Sequence, residues 1–315
     1  MELSVPAGSQ SGDKLRLRGR GLPGTPPGVG RQIPSIGAGL HDRAPLLSVA
    51  GLIKHFPIGG SKDVVRAVDG VSFQIDRGQT LALVGESGSG KTTVGQCLLR
   101  LINPGGGRIR FDGSDLAAIS EREMYGLRRR IQMVFQKPYV ALNPRWRVAD
   151  LIGEPLGLVS ELGPAERRRR VLTLLDLVRL PARLGDRFPH EITAGEQKRV
   201  GIARALATSP DFVVFDEPTT ALDIRVRGQI IDLVRELQAE LGLSALFITH
   251  DLNSVRSLAQ FVAVMKTGVL VEQGETERIF AAPEHAYTKM LLAAELPIEA
   301  AKQQRKDIVR MEAAK

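Results

Sequence analysis

From residue 46 onward the chain alternates short apolar runs with longer stretches of helical period. "LLSVAGLIKHF" (46–56) and "VRAVDGVSFQID" (65–76) repeat apolar positions about every second residue, the spacing of half-buried strands. "GQTLALVG" (78–85) is a short apolar strand feeding a glycine-rich loop, and a helix is predicted near 91–102. "GRIRFDG" reads as a strand and a hairpin-like turn. Ser120 followed three residues later by Glu123 has the spacing of a capping box, which opens a short helix. "IQMVFQ" (131–136) is a buried strand.

Between 137 and 192 the pattern turns helical and Arg-rich, without a convincing strand. Beyond it the signals alternate: helix 196–208, strand "FVVFD" (212–216), helix 223–241, strand "ALFIT" (245–249), helix 252–258 and strand "FVAVM" (261–265). Such alternation predicts a parallel sheet wrapped by helices. No internal repeat is visible. Residues 1–45 are rich in Gly, Pro, Ser and Arg, have no apolar periodicity and lack the continuous apolar core of a secretory signal. They read as a disordered tail, or as residues translated from an over-extended start.

Composition narrows the class. With 315 residues, 43% hydrophobic and 25% charged, the chain has material for a substantial core. No uncharged apolar run approaches the ~20 residues of a membrane span, so a membrane role has to come through a partner. The formal charge of +8 raises nucleic acid or anionic lipid as partners. Much of it is explained locally by solvated faces, since "LRRR" (127–130) and "ERRRR" (166–170) fall on predicted helices. Aromatics are only 4% and none interleave with a basic stretch, as base stacking requires, so no nucleic acid is expected. Cys97 is the sole cysteine, which excludes an intrachain disulfide or a thiolate cluster. Within "TTVGQCLLRLI" it reads as a small buried hydrophobe, and a reducing cytosol fits.

Chemistry concentrates at strand ends. "GESGSGKTT" satisfies G-x-x-x-x-G-K-[ST] between an apolar strand and a helix, the context of a P-loop. Gly85, Glu86, Ser87, Gly88, Ser89, Gly90, Lys91, Thr92 and Thr93 then form the nucleotide cradle. Its glycines let successive N–H groups curl around phosphate oxygens, helped by the partial positive charge of the helix start. Lys91 is expected to reach the β- and γ-phosphates and Thr92 to ligate Mg²⁺. Some 125 residues on, "FVVFDEP" ends in two acids: Asp216 to hold Mg²⁺, usually through water, and Glu217 to orient and polarise the attacking water. Gln136 and His250 are polar residues at the carboxyl ends of two further strands, where open α/β sheets place ligands.

P-loop, "VFQKP", "TAGEQKRVGIARAL", "VVFDEPTTALD" and "FITHD" stand in an order and spacing that resemble ABC-transporter ATPase subunits, over roughly 46–297. "LIKHFPIGG…VRAVDGVSF", "LNPRWRVADLIGEPL" and "RIFAAPEHAYTKMLLAAELP" look like the F-type ATPase of dipeptide and oligopeptide permeases. The resemblance implies an α/β P-loop NTPase with a RecA-like core, an antiparallel β subdomain and an inserted helical subdomain at about 137–192. The ATPase domain then spans 46–290 and a C-terminal extension 291–315. It further implies ATP with Mg²⁺, a second ATPase subunit (another chain or a second copy) paired head to tail, and two membrane permease subunits. An extracellular solute-binding protein acts indirectly, and the ATPase sits at the cytoplasmic face of the membrane. By the same matching, Phe56 stacks on adenine, and His250 contacts the γ-phosphate beside the catalytic Glu217. Gln136 joins the catalytic and Mg²⁺ sets and senses the membrane subunit, and Asp223 faces the partner ATPase.

The family's signature loop usually reads Ser-Gly-Gly-Gln; here Thr193, Ala194, Gly195 and Glu196 stand in its place. Its implied task is to offer a hydroxyl and N–H groups to the partner's γ-phosphate. Thr193 keeps the hydroxyl, and Ala194 adds a Cβ that matters only at positive φ or close approach. Glu196 brings a carboxylate towards a polyphosphate, a repulsion on the order of a few kcal/mol at an effective dielectric of ~20 before screening. The loop is expected to be weakened but working. The leading function is energy coupling in an importer of peptides or related small solutes. The alternative is a soluble ABC ATPase acting on nucleic acid or the ribosome, whose usual paired cassettes or long coils this chain lacks. The cargo itself is not written in this chain.

Overall fold

The computed structural model describes residues 44–58, 63–137, 141–159 and 162–294. Most of the expected N-terminal tail and of the C-terminal extension therefore lies outside the described residues.

Two sheets organise the domain. Strands β1 (Leu47–Pro57), β2 (Val64–Ile75), β4 (Gly106–Phe111) and β5 (Ser114–Asp115) form an antiparallel sheet in the order β2-β1-β4-β5. The larger sheet runs β10 (Val269–Glu275), β9 (Phe261–Lys266), β3 (Thr80–Val84), β8 (Ser244–Thr249), β7 (Phe212–Asp216), β6 (Ile131–Val134). From β9 to β6 its pairings are parallel. The expected parallel sheet is extended at one edge, where β10 turns back antiparallel on β9. Thr267 and Gly268, both at positive φ (46° and 85°), make the two-residue turn whose twist suits a hairpin.

The helices are α1 (Lys91–Leu98), α2 (Glu121–Arg128), α3 (Val148–Val159), α4 (Pro164–Leu177), α5 (Ala194–Leu206), α6 (Ile224–Leu241), α7 (Leu252–Leu258), α8 (Thr276–Ala281) and α9 (286–294). α1 stops short of the expected residue 102. Arg100 takes φ 49° and its guanidinium donates to the carbonyls of Leu116 (3.2 Å) and Ile119 (2.9 Å), so tertiary bonds pull the chain out of the helix. The Ser120–Glu123 capping box is present at the start of α2. Among the described residues of 137–192 there are only α3, α4 and two 3₁₀ turns, as the helical pattern predicts. α5 begins at Ala194 rather than 196, because Thr193 caps it. β10, α8 and α9 were not expected from the pattern, and α9 runs through the boundary placed at residue 290.

Three apolar clusters hold these layers. The first packs α3, α4, α5 and α6 on one face of the large sheet, with Val213, Phe215 and Phe247 inside. The second joins the antiparallel sheet to α1 and to the opposite face through Phe111, Phe212 and Leu246. The third seats α7, α8 and α9 beyond β3 and β9, around Val84, Val262 and Tyr287. Each fully buried Phe or Leu contributes roughly 1.5–3 kcal/mol. Cys97 is buried in the second cluster, which pushes its thiol up to about 11, so it is a packing residue as expected.

Candidate functional site

Because β3, β6, β7 and β8 run parallel, their carboxyl ends share one edge of the sheet, and the expected P-loop, Gln136, Asp216–Glu217 and His250 follow them there. The loop after β3 wraps so tightly that at its first and last glycines a side chain does not fit. A Cβ at Gly90 would stand 1.9 Å from the Ala67 carbonyl oxygen, and one at Gly85 2.1 Å from that of Met265. Gly90 precedes α1 at φ 105°, offers no side-chain cap, and the first turn of α1 holds no acid. The uncapped N–H groups of this helix start are an anion seat.

Lys91 is buried, and its ammonium donates to the carbonyls of Gly85 (2.8 Å) and Glu86 (2.7 Å) and to Ser89 Oγ (3.3 Å). Burial lowers its pKa, against the opposing pull of Glu217 and Asp216. Asp216, also buried, accepts from the Thr92 hydroxyl at 2.9 Å, and burial raises its pKa. A hydroxyl and a carboxylate in contact, beside a phosphate seat, suit Mg²⁺, which keeps waters and substrate phosphates among its ligands. Among the described residues no group of three or more acids, His or Cys is placed to hold a metal ion by itself.

Glu217 is held from three sides. Its Oε2 accepts from Gln136 Nε2 (2.7 Å) and Thr220 Oγ1 (2.8 Å), and Oε1 lies 3.5 Å from His250 Nδ1. Its backbone sits at φ 44°, a left-handed conformation that costs a non-glycine residue about 1–3 kcal/mol. The structure thus brings Lys91, Thr92, Gln136, Asp216, Glu217 and His250 together. Two participants were missed in the sequence. Thr220 lies in "DEPTT" three residues past the acid. Lys198, buried in α5, donates to the carbonyl oxygens of Gln136 and Glu217, the latter at 3.4 Å. Burial pulls its ammonium down to about 8.

Phe56 stands at the end of β1, paired with Val65, two residues from the Ala67 that abuts Gly90. One side of its ring carries the Lys54 ammonium, 5.1 Å from the centroid. Asp223 caps α6, accepting from the N–H groups of Arg225 and Val226 at 3.0 Å each. The odd loop is resolved plainly. Thr193 and Glu196 form a capping box: Thr193 N–H and hydroxyl both donate to Glu196 Oε2 (2.8 and 2.9 Å), and Glu196 N–H donates to Thr193 Oγ1 (3.3 Å). The expected free hydroxyl is therefore already engaged, and the carboxylate is folded back on its own helix end. Ala194 and Gly195 are not at positive φ, so the extra methyl of Ala194 meets no backbone penalty. A Cβ at Gly195 would instead strike Val226 at 2.6 Å.

A phosphate cradle, a hydroxyl–carboxylate pair and a restrained glutamate at one sheet edge define a P-loop ATPase. Comparison narrows it. The ABC transporter family matches residues 68–220. The dipeptide transport ATP-binding protein DppF of Haemophilus influenzae is 45% identical over 258 residues, 80% of this chain and 79% of the relative. DppF of Escherichia coli is 43% identical over 254 residues, 79% and 76% of the two chains. The fold is similar to that of the dimeric ATP-binding cassette MJ0796 in a post-hydrolysis state bound to ADP and Pi. There the TM-score is 0.68 at 28% identity, covering 73% of this chain and 98% of the other. The chain belongs to the ATP-binding subunits of the ABC transporters.

Proposed function

We propose that this chain is the ATP-hydrolysing subunit of an importer for peptides or related small solutes, acting at the cytoplasmic face with two permease subunits and a second ATPase. The observation that carries the reading is the meeting of Lys91, Thr92–Asp216 and Glu217 at one sheet edge. The relatives with transport names favour it over a soluble ATPase acting on nucleic acid or the ribosome.

In this reading the P-loop N–H groups and Lys91 bind the phosphates, and Phe56 stacks on the adenine. Thr92 and Asp216 hold Mg²⁺, with Gln136 at its margin. The ion, when bound, neutralises charge that develops on the phosphates. Glu217 Oε2 is oriented by Gln136 and Thr220, and the carboxylate takes the proton of the attacking water. His250, more than half exposed beside Glu217, is free to reach the γ-phosphate.

Membrane coupling runs through a groove of about 450 Å³ between α2, β6, α3 and α5, with Leu101, Tyr125 and Phe135 at its apolar lip. Leu101 and Tyr125 are 48% and 60% exposed, which suits an apolar segment of a permease. Lys198 lines the same groove and bonds the backbone carbonyls of Gln136 and Glu217, so a docked segment acts on the backbone that carries the catalytic carboxylate through one side chain. Among the described residues no helix is long and apolar enough to cross a membrane.

Thr193, Ala194, Gly195, Glu196 and Asp223 serve the partner's nucleotide. The test is reconstitution of the chain with its permeases and second ATPase in liposomes. ATP-dependent peptide uptake is expected. ATP turnover without uptake of any peptide would overturn the cargo, and no turnover would overturn the ATPase itself.

A further inference from the structure

The peptide unit between Gly85 and Glu86 is gripped at both ends. Its carbonyl accepts from Lys91 Nζ at 2.8 Å, and its N–H donates to the Tyr287 hydroxyl at 3.1 Å. The next carbonyl, that of Glu86, also accepts from Lys91. Gly85 sits at φ 151°, in backbone space open to glycine, so on its Gly85 side the following peptide meets no Cβ that resists rotation. A rotated peptide would turn an N–H towards the ammonium and a carbonyl away from it. Tyr287 removes that freedom.

The tyrosine is itself firmly mounted. It is 4% exposed, and Lys266, at the end of β9, lies over its ring at 4.7 Å. It occupies the first turn of α9, whose entry is tied to β10: buried Glu272 accepts from the N–H groups of Glu284 (2.7 Å) and His285 (3.0 Å). β10 pairs with β9, and the β9 residue Met265 closes over Gly85. A closed circuit therefore runs from β9 through β10, Glu272, α9 and Tyr287 to the P-loop.

We propose that Tyr287 is a positioning residue for Lys91: by fixing the Gly85–Glu86 peptide it sets the seat of the ammonium, so the C-terminal helix tunes the affinity for nucleotide phosphates. This rests on the ATP-site reading above. The test is equilibrium titration of the full-length chain with MgATP, MgADP and adenosine. Tyr287→Phe keeps the ring and the Lys266 contact and loses only the hydroxyl. It should weaken MgATP about three- to tenfold, the worth of one hydrogen bond, with adenosine unaffected. On a Lys91→Ala background the same change should have no further effect, because a residue acting through Lys91 has nothing left to position. Thermal unfolding without nucleotide checks that each variant is folded. Equal MgATP affinity in wild type and Tyr287→Phe would overturn the proposal. So would a loss of the same size with and without Lys91, which marks a general effect on the loop. If the wild type binds no nucleotide, the ATP-site reading fails instead.

Discussion

Two helix starts in this chain face polyphosphate in the proposed assembly, and they are built in opposite ways. α1 opens on Gly90, with no side-chain cap and no acid in its first turn. α5 opens on Thr193, closed by a full capping box in which Glu196 supplies the anion. The first leaves its N–H groups and dipole to a ligand. The second already holds the Glu196 carboxylate on its own N-terminus, a local gain of ~0.3–1 kcal/mol for the helix. Burial and strain divide the same way. Around α1 lie buried Lys91 and Asp216 and a left-handed Glu217, whereas Thr193 is exposed and the loop holds no positive φ. In the proposed assembly the chain's own nucleotide site would be prepared for chemistry, while the surface proposed to face a partner is closed on itself. The partner's site should be the weaker of the two, provided the partner's own signature loop is ordinary.

The sharpest way to break this contrast is Glu217→Gln. It keeps the oriented side chain and removes the base, so turnover in the assembled transporter should fall about 10²–10⁴-fold. ATP binding should remain within a few-fold of wild type. Wild-type turnover would remove Glu217 from the base role.

Next in size is a pH effect. Lys198 loses its proton near 8, and with it the charge that holds the Gln136 and Glu217 carbonyls. Turnover should decline as pH rises through about 8, and Lys198→Arg should carry the plateau higher. A profile that is the same in both proteins would sever the link. The stability sign is opposite. Between about 8 and 10.5 the unfolded lysine is charged and the folded one neutral, so unfolding takes up a proton and stability rises with pH across that window.

At α5 the effects are smaller. Glu196→Gln with Ala194→Gly should raise turnover and tighten ATP at the partner's site by a few-fold, most at low ionic strength. Glutamine still completes a capping box, so the fold should not change. No change at either site would mean that the box opens freely when phosphate arrives. Smallest is Thr193→Ala, which removes the cap and should lower the melting temperature by ~2–4 °C for a domain of this size.

The large sheet and the P-loop were legible because their signals are local: short apolar runs, glycines, and acids at strand ends. Asp216 and Glu217 stand where "FVVFD" ends. What escaped depends on partners far along the chain. Arg100 ends α1 by reaching the carbonyls of Leu116 and Ile119. In "VLVEQGE" the buried positions include Glu272 and Gln273, so polarity disguised β10 as a loop. Lys198 reads as one more charge in a basic amphipathic helix, and only the fold turns it inward. One miss was avoidable. Thr193 and Glu196 have the spacing that identified Ser120 and Glu123 as a capping box, yet the acid was weighed as a charge facing phosphate rather than as a cap.

The left-handed backbone at Glu217, matched by φ 64° at Ala221, has a meaning beyond catalysis. Glycine occupies such conformations without strain. Replacing Glu217 by glycine would relax the turn and remove a like charge from beside the buried Asp216, at the cost of the contacts with Gln136, Thr220 and His250, and would leave the site without its base. That relief is one substitution away. The strain in "DEPTTALD" is what a working base at Glu217 would require, and loss of turnover in Glu217→Gly would show it.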